Sequence, residues 1–136
     1  MLHEITRLRQ SNRQLQKRWF TDTEMDLFVW SRESVPVRFQ LAYDKKNREH
    51  VISWDIYNGF RHYAVDTGEG LPDRYKKTPI LIDVDAYQNM ANIARNFLVA
   101  CEDIEIGISD FIYARLIEYP GFRARHNAVH INQPAN

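Results

Sequence analysis

Cysteine is almost absent from this sequence: Cys101 is the only one among 136 residues. An internal disulfide is therefore excluded, since it requires two cysteines. A single unpaired thiol in a small domain is typical of proteins from reducing compartments. The first residues also lack the apolar core of a secretory signal. Both absences predict a cytoplasmic protein.

Long apolar runs and net charge are missing as well. No stretch approaches the roughly 20 apolar residues that span a membrane, so no membrane contact is expected. The 18 Lys and Arg residues balance 18 Asp and Glu residues, which gives a formal net charge of zero. Proteins dedicated to nucleic-acid binding derive much of their affinity from neutralising phosphates. The charge balance therefore does not favour nucleic acid as a partner.

Apolar residues make up 44% of the chain, which is enough for one hydrophobic core at this length. One domain is predicted for residues 1–120, followed by a flexible tail at 121–136 where the apolar periodicity ends. The expected fold class is α+β, with an antiparallel meander of four strands, a fifth strand and two C-terminal helices packed on one sheet face. Residues 1–20 are predicted as a basic amphipathic helix, 24–83 as the sheet and 85–119 as the helices.

The apolar spacing in the first 20 residues predicts a helix. Ile5 and Asn12 take one core position of a heptad repeat, while Leu8 and Leu15 take the other. Asn at such a position selects dimers, so these four residues are interface candidates for a homodimer. A helix that lies on its own domain explains the same spacing. The segment carries five basic residues against one acidic residue, which leaves weak nucleic-acid binding as a third use of the helix.

The strongest turn motif in the meander is Asn58-Gly59. Asn-Gly between apolar runs is the preferred two-residue hairpin turn, because both positions require positive φ. A turn centred there pairs Asp55 with His62 on the neighbouring strand.

Two further turns are expected earlier in the meander. The polar run 45–48 is predicted to be a four-residue loop that pairs Arg38 with Asp55. A turn near Glu33-Ser34 is predicted to pair Val29 with Arg38. The three registers agree about which side chains share a face, although a slip of one residue would reverse any of them.

The registers predict one apolar and one polar face. The apolar face is the expected core, and it carries an aromatic row of Phe28, Phe39, Trp54 and Tyr63. The polar face carries a row of Val29, Arg38, Asp55 and His62, with Gln40 and Ser53 in the next row.

The polar face supplies the candidate ligand-binding residues Arg38, Gln40, Ser53, Asp55 and His62. An aspartate can orient and charge a histidine, and an arginine binds carboxylate or phosphate. An ordinary cross-strand ladder of charges explains the same residues without a function. The sequence predicts no catalytic residue, no metal ligand and no cofactor.

Three further elements are expected after the meander. Residues 78–83 are typical of a fifth strand, whose place in the sheet the pattern does not determine. Residues 85–101 carry one apolar helical stripe, which is expected to cover the aromatic face. A second helix is expected from Ser109, a good N-cap, to about Tyr119, where Pro120 ends it.

Four segments resemble a group of small uncharacterised bacterial proteins. They are DLFVW at 26–30, FQLAYDK at 39–45, VDTGE at 65–69 and TPIL at 78–81. The resemblance covers residues 18–83, and relatives often carry Cys where this chain has Ala42. It implies a bacterial, cytoplasmic origin and brings no activity with it.

The sequence as a whole favours a small non-catalytic binding protein. Its expected partner is an unidentified protein or a second copy of the chain. The alternative is a site for an anionic small molecule, or an enzyme site, on the polar face with Arg38, Asp55 and His62.

Overall fold

A computed structural model describes residues 1–11, 13–65, 79–81 and 90–119 of the chain. These residues form seven strands followed by two helices. The strands are β1 (His3–Ile5), β2 (Gln16–Thr21), β3 (Asp26–Arg32), β4 (Val35–Tyr43), β5 (His50–Asp55), β6 (Gly59–Val65) and β7 (Pro79–Leu81). The helices are α1 (Met90–Ala100) and α2 (Ile106–Ile117).

The seven strands lie side by side in chain order, and every neighbouring pair is antiparallel. Such a meander needs only short connections, because each strand pairs with its sequence neighbour. Residues 79–81 pair with β6, so the predicted fifth strand lies at the edge of the sheet next to the meander.

The predicted N-terminal helix is wrong. The segment forms β1 and β2 instead, and β2 pairs with β3 from Gln16 opposite Ser31 to Thr21 opposite Asp26. Helix propensities differ by less than about 0.7 kcal/mol per ordinary residue, whereas burying one large apolar side chain contributes about 1.5–3 kcal/mol. Phe20 is fully buried in the strand arrangement, so tertiary burial outweighs the local preference.

The heptad stripe that supported a homodimer interface is therefore absent from the described part of this segment. Ile5 ends β1, while Leu8 and Leu15 lie outside the strands. Asn12 lies outside the described residues. Self-association stays a prediction without a helix to support it.

The predicted register of β4 and β5 is confirmed. Arg38 lies opposite Asp55, and Phe39 lies opposite Trp54. The polar loop 45–48 therefore closes this hairpin as expected.

The predicted register of β3 and β4 is correct only near the turn. Glu33 and Ser34 both have positive φ, 49° and 70°, as a tight hairpin turn requires. Farther along, Trp30 pairs with Arg38 while Ser31 pairs with Pro36. One β4 residue is thus unpaired and forms a β-bulge. Beyond the bulge, the pairing is shifted by one residue from the predicted register, so the β3 side chains point to the opposite faces of the sheet from those predicted.

The predicted register of β5 and β6 is wrong. The Asp55 carboxylate accepts hydrogen bonds from the backbone N–H groups of Tyr57 and Asn58, both at 2.8 Å. Gly59 takes the positive φ of 74° that ends the turn. Asp55 therefore lies opposite Gly59 and not opposite His62, and this odd shift reverses the faces of β6.

Both helices that were predicted after the sheet are present. The buried residues of α1 are Met90, Ile93, Ala94, Phe97 and Ala100. Leu98, an apolar residue within the predicted helix 85–101, is 39% exposed and lies outside the buried stripe. Ser109 is not an N-cap, because α2 already begins at Ile106. Residues 82–89 and the predicted tail, 121–136, lie outside the described residues.

The hydrophobic core lies between one sheet face and the helices. Its sheet residues are Phe20, Leu27, Val29, Phe39, Leu41 and Ile52, which pack with α1 and α2 in one cluster. Phe28 and Trp30, expected in this core, lie on the opposite face. No helix in the described parts of the chain is long and apolar enough to cross a membrane.

Candidate functional site

The outer face of the sheet, on the side away from the helices, collects cationic, aromatic and polar side chains. One cross-strand row consists of Lys17, Trp30, Arg38 and Asp55. The next row consists of Trp19, Phe28, Gln40, Ser53 and Arg61. These nine residues are called the outer face below.

Three aromatic rings of the outer face form a continuous group. Trp19 and Phe28 are stacked across β2 and β3, with ring centroids 5.5 Å apart and an interplanar angle of 18°. Phe28 and Trp30 follow one another along β3 with centroids 6.1 Å apart. All three rings are half-buried, so each keeps part of its surface open to solvent.

Two cations lie against these rings. The Lys17 ammonium is 4.7 Å from the centroid of Phe28 and 5.4 Å from that of Trp30. The Arg38 guanidinium carbon is 4.3 Å from the centroid of Trp30. Cation–π contacts at exposed sites contribute about 0.5–1 kcal/mol each, so they hold the cations in place while leaving their N–H donors available.

The two carboxylates nearest the rings are already engaged within the chain. Asp55 caps its own turn, and the N–H groups of Asn58 and then Tyr57 hold its pKa below the usual value. Asp26 accepts a hydrogen bond from the Trp19 indole at 3.2 Å and lies 3.2 Å from the Lys45 ammonium. Arg38 faces Asp55 across the strands, but this aspartate is also the turn cap.

His62 does not belong to the outer face. The shifted register turns it into the core side, where it is 3% exposed. Its Nε2 lies 2.5 Å from the Tyr43 hydroxyl, and its Nδ1 lies 3.0 Å from the Tyr119 hydroxyl. Burial, with a further contribution from nearby His50, lowers the pKa of His62 to about 4. The imidazole is therefore neutral at pH 7, and its hydrogen bonds join β4 and β6 to the end of α2.

Cys101 is buried at the end of α1, as its position on the apolar stripe predicts. Burial raises the pKa of its thiol to about 12. A thiol in this state is not a nucleophile at neutral pH.

A cleft of about 710 Å³ lies elsewhere, between the start of β3, the end of β4 and α1. Its polar lining includes Asp22, Glu24, Asp44 and Glu102, together with the amides of Asn92 and Asn96. None of the candidate residues predicted from the sequence lines this cleft.

The structure thus brings together four of the five predicted ligand residues: Arg38, Gln40, Ser53 and Asp55. Lys17, Trp19 and Trp30 were not predicted there. The first two fell in the expected helix, and Trp30 was assigned to the core. Residues 16–21 read QKRWFT, in which apolar and polar residues do not alternate, so periodicity gave no indication that this segment is a strand.

Neither a known protein family, nor a curated protein, nor a solved structure matches the chain.

Proposed function

We propose that this protein is a non-catalytic binding domain that takes an anionic ligand on the outer face of its sheet. The observation that carries the proposal is the position of Arg38. Its guanidinium is stacked on Trp30 and exposed, and it lies in the same row as Lys17. A guanidinium held by an aromatic ring is oriented before a ligand arrives, which lowers the entropy cost of binding.

Neutral hydrogen-bonding groups lie beside the two cations. Gln40 and Ser53 occupy the adjacent row, directly opposite each other on β4 and β5. A carboxylate or phosphate bound to Arg38 would find the Gln40 amide two residues along the same strand, roughly 6.8 Å away, and the Ser53 hydroxyl diagonally across, about 7–8 Å away. This set of donors is suited to recognising oxygens and supplies no general base.

The proposed role is non-catalytic because the groups best suited to proton transfer or nucleophilic attack are engaged within the fold. His62 is buried between two tyrosines on the opposite face, and Cys101 is buried with a raised pKa. Asp55 is used as a turn cap.

A homodimer formed face to face through the outer face is disfavoured by this charge pattern. A face-to-face dimer would bring together two surfaces that each carry Lys17, Arg38 and Arg61, and this excess of positive charge is repulsive. The outer face is therefore not proposed as a homodimer interface.

The test is a titration of ¹⁵N-labelled protein with pyrophosphate, citrate and AMP. Binding is detected by NMR as changes in the amide chemical shifts. Binding at the outer face is expected to move the amides of residues 17–19, 28–30, 38–40 and 53–55. Arg38→Gln should weaken pyrophosphate binding about fivefold, which corresponds to about 1 kcal/mol for an exposed charge.

Arg95→Gln is the matched control, because Arg95 is an exposed arginine on α1, on the other side of the sheet. It should leave the affinity unchanged. Shifts confined to other residues, or equal effects of the two substitutions, would refute the proposal.

A further inference from the structure

We infer that the ligand of the outer face is single-stranded nucleic acid, an inference that rests on the anion-binding function proposed above. Phosphates account for the cations Lys17, Arg38 and Arg61. They do not account for three clustered aromatic rings on a solvent-facing sheet surface. Unstacked bases do, because every base has a planar π face that stacks on Trp and Phe side chains.

Cations and rings alternate on this surface. Lys17 lies over Phe28 and Trp30, and Arg38 lies over the same tryptophan. A nucleotide chain presents the same alternation of a planar base and a phosphate. A chain of acidic side chains would match the cations but leave the rings without a planar partner.

The size of the surface favours a polymer over a mononucleotide. The row from Trp19 to Arg61 crosses five neighbouring strands, β2 to β6. Four strand spacings of about 4.8 Å give a width of about 19 Å. Single-strand sites on OB-folds hold roughly 4–16 nucleotides, and the aromatics of RNA-recognition sheets stack about two or three bases.

A duplex does not fit this chemistry. Its bases are stacked inside the helix, so the rings of the outer face would meet only the backbone. The preference for single strands is therefore a consequence of the aromatic group and not of the charges.

The neutral net charge of the chain is compatible with this inference because charge acts locally. On the outer face Lys17, Arg38 and Arg61 stand against Asp55, whose carboxylate caps a turn. Asp26, at its border, is bonded to Trp19 and Lys45. The net charge of the whole chain is zero because acidic residues elsewhere, such as those in the cleft beside α1, balance these cations.

The experiment measures fluorescence anisotropy of labelled 12-nucleotide oligo-U and oligo-dT with the whole protein over a range of salt concentrations. Saturable binding that weakens with salt is expected. Arg38→Gln should reduce the slope of log K against log salt by about 0.7, the value for one phosphate contact on a single strand. Arg95→Gln should leave the slope unchanged.

The aromatic contribution is tested by Phe28→Leu, which keeps an apolar side chain but removes the ring. It should weaken oligonucleotide binding roughly tenfold. Phe111→Leu is the control, because Phe111 is a half-buried aromatic residue on α2, packed against Trp54. If Phe28→Leu fails to fold, the competition between oligo-U and polyanions that lack bases decides.

Competition distinguishes the ligand classes. Long-chain polyphosphate, poly-Glu and a 12-base-pair duplex should each compete at least tenfold more weakly than unlabelled oligo-U. Equal competition by any of them would overturn the nucleic-acid inference while leaving anion binding intact. Failure of every anion to bind would overturn both.

Discussion

The hydroxyl of Tyr43 and Nε2 of His62 lie 2.5 Å apart across β4 and β6, in the core side of the sheet. The second ring nitrogen lies 3.0 Å from the Tyr119 hydroxyl. A neutral imidazole has one donor and one acceptor, so two hydroxyl groups satisfy it completely. This arrangement explains how a polar side chain can be buried beside an apolar core.

Tyr43→Phe is expected to lower the free energy of unfolding by about 1–3 kcal/mol, because it leaves a buried ring nitrogen without a partner. Urea denaturation followed by circular dichroism measures this. Tyr57→Phe is the matched control, because Tyr57 is 78% exposed, and it should change stability by less than about 0.5 kcal/mol. Equal effects of the two substitutions would contradict the role of the hydroxyl.

Stability is expected to fall between pH 6.5 and about 4 because of His62. Its pKa is about 4 when folded, below the ordinary histidine value of 6.5. Above pH 6.5 the His62 imidazole is neutral in both the folded and the unfolded chain. Between pH 6.5 and about 4 it takes up a proton in the unfolded chain but stays neutral in the folded chain. A fall in pH therefore favours unfolding. The loss reaches about 3 kcal/mol at most. NMR titration of the His62 ring in the folded protein measures this pKa directly. A midpoint near pH 6.5 would exclude a contribution of His62 to the loss of stability.

Two glycines should respond to alanine with opposite signs. Gly59 has φ of 74° with nothing within 4 Å of an added Cβ, so Gly59→Ala should destabilise by about 1 kcal/mol through backbone strain alone. Gly107 in α2 also has open space, and Gly107→Ala should stabilise by up to about 1 kcal/mol. Thermal unfolding of both variants is the measurement. If both substitutions lowered the melting temperature, the positive φ of Gly59 would not explain the effect of Gly59→Ala.

Cys101 should react slowly with a thiol reagent at pH 8 in the folded protein, because it is buried and its pKa is raised to about 12. In urea the same thiol should react at the rate of a free cysteine. Since the chain has no other cysteine, the absorbance change reports this residue alone. Equally fast labelling of both states would show that the end of α1 opens readily.

Four of the nine outer-face residues follow from the sequence. The polar loop 45–48 fixes how Arg38, Gln40, Ser53 and Asp55 meet, because its length and solvation leave one register for β4 and β5. The positions of Lys17 and Trp19 do not follow. Their segment has good helix-forming residues, and only pairing with β3 makes it a strand.

The position of His62 on the core side of the sheet also did not follow from the sequence, because it depends on the length of the turn between β5 and β6. Asn58-Gly59 is a strong signal for a two-residue turn, but Asp55 caps a longer one. The difference is three residues, and an odd shift places every side chain of β6 on the opposite face.

The sequence by itself determined the local features: an antiparallel meander, the positions of its turns, the β4–β5 register and two apolar-faced helices after it. These follow from turn chemistry and periodicity, which act over a few residues. Only the tertiary structure decided the β-bulge between β3 and β4, the state of the N-terminal segment and the faces of β3 and β6. Those choices depend on which side chains the core can bury, and burial is a property of residues distant in the chain.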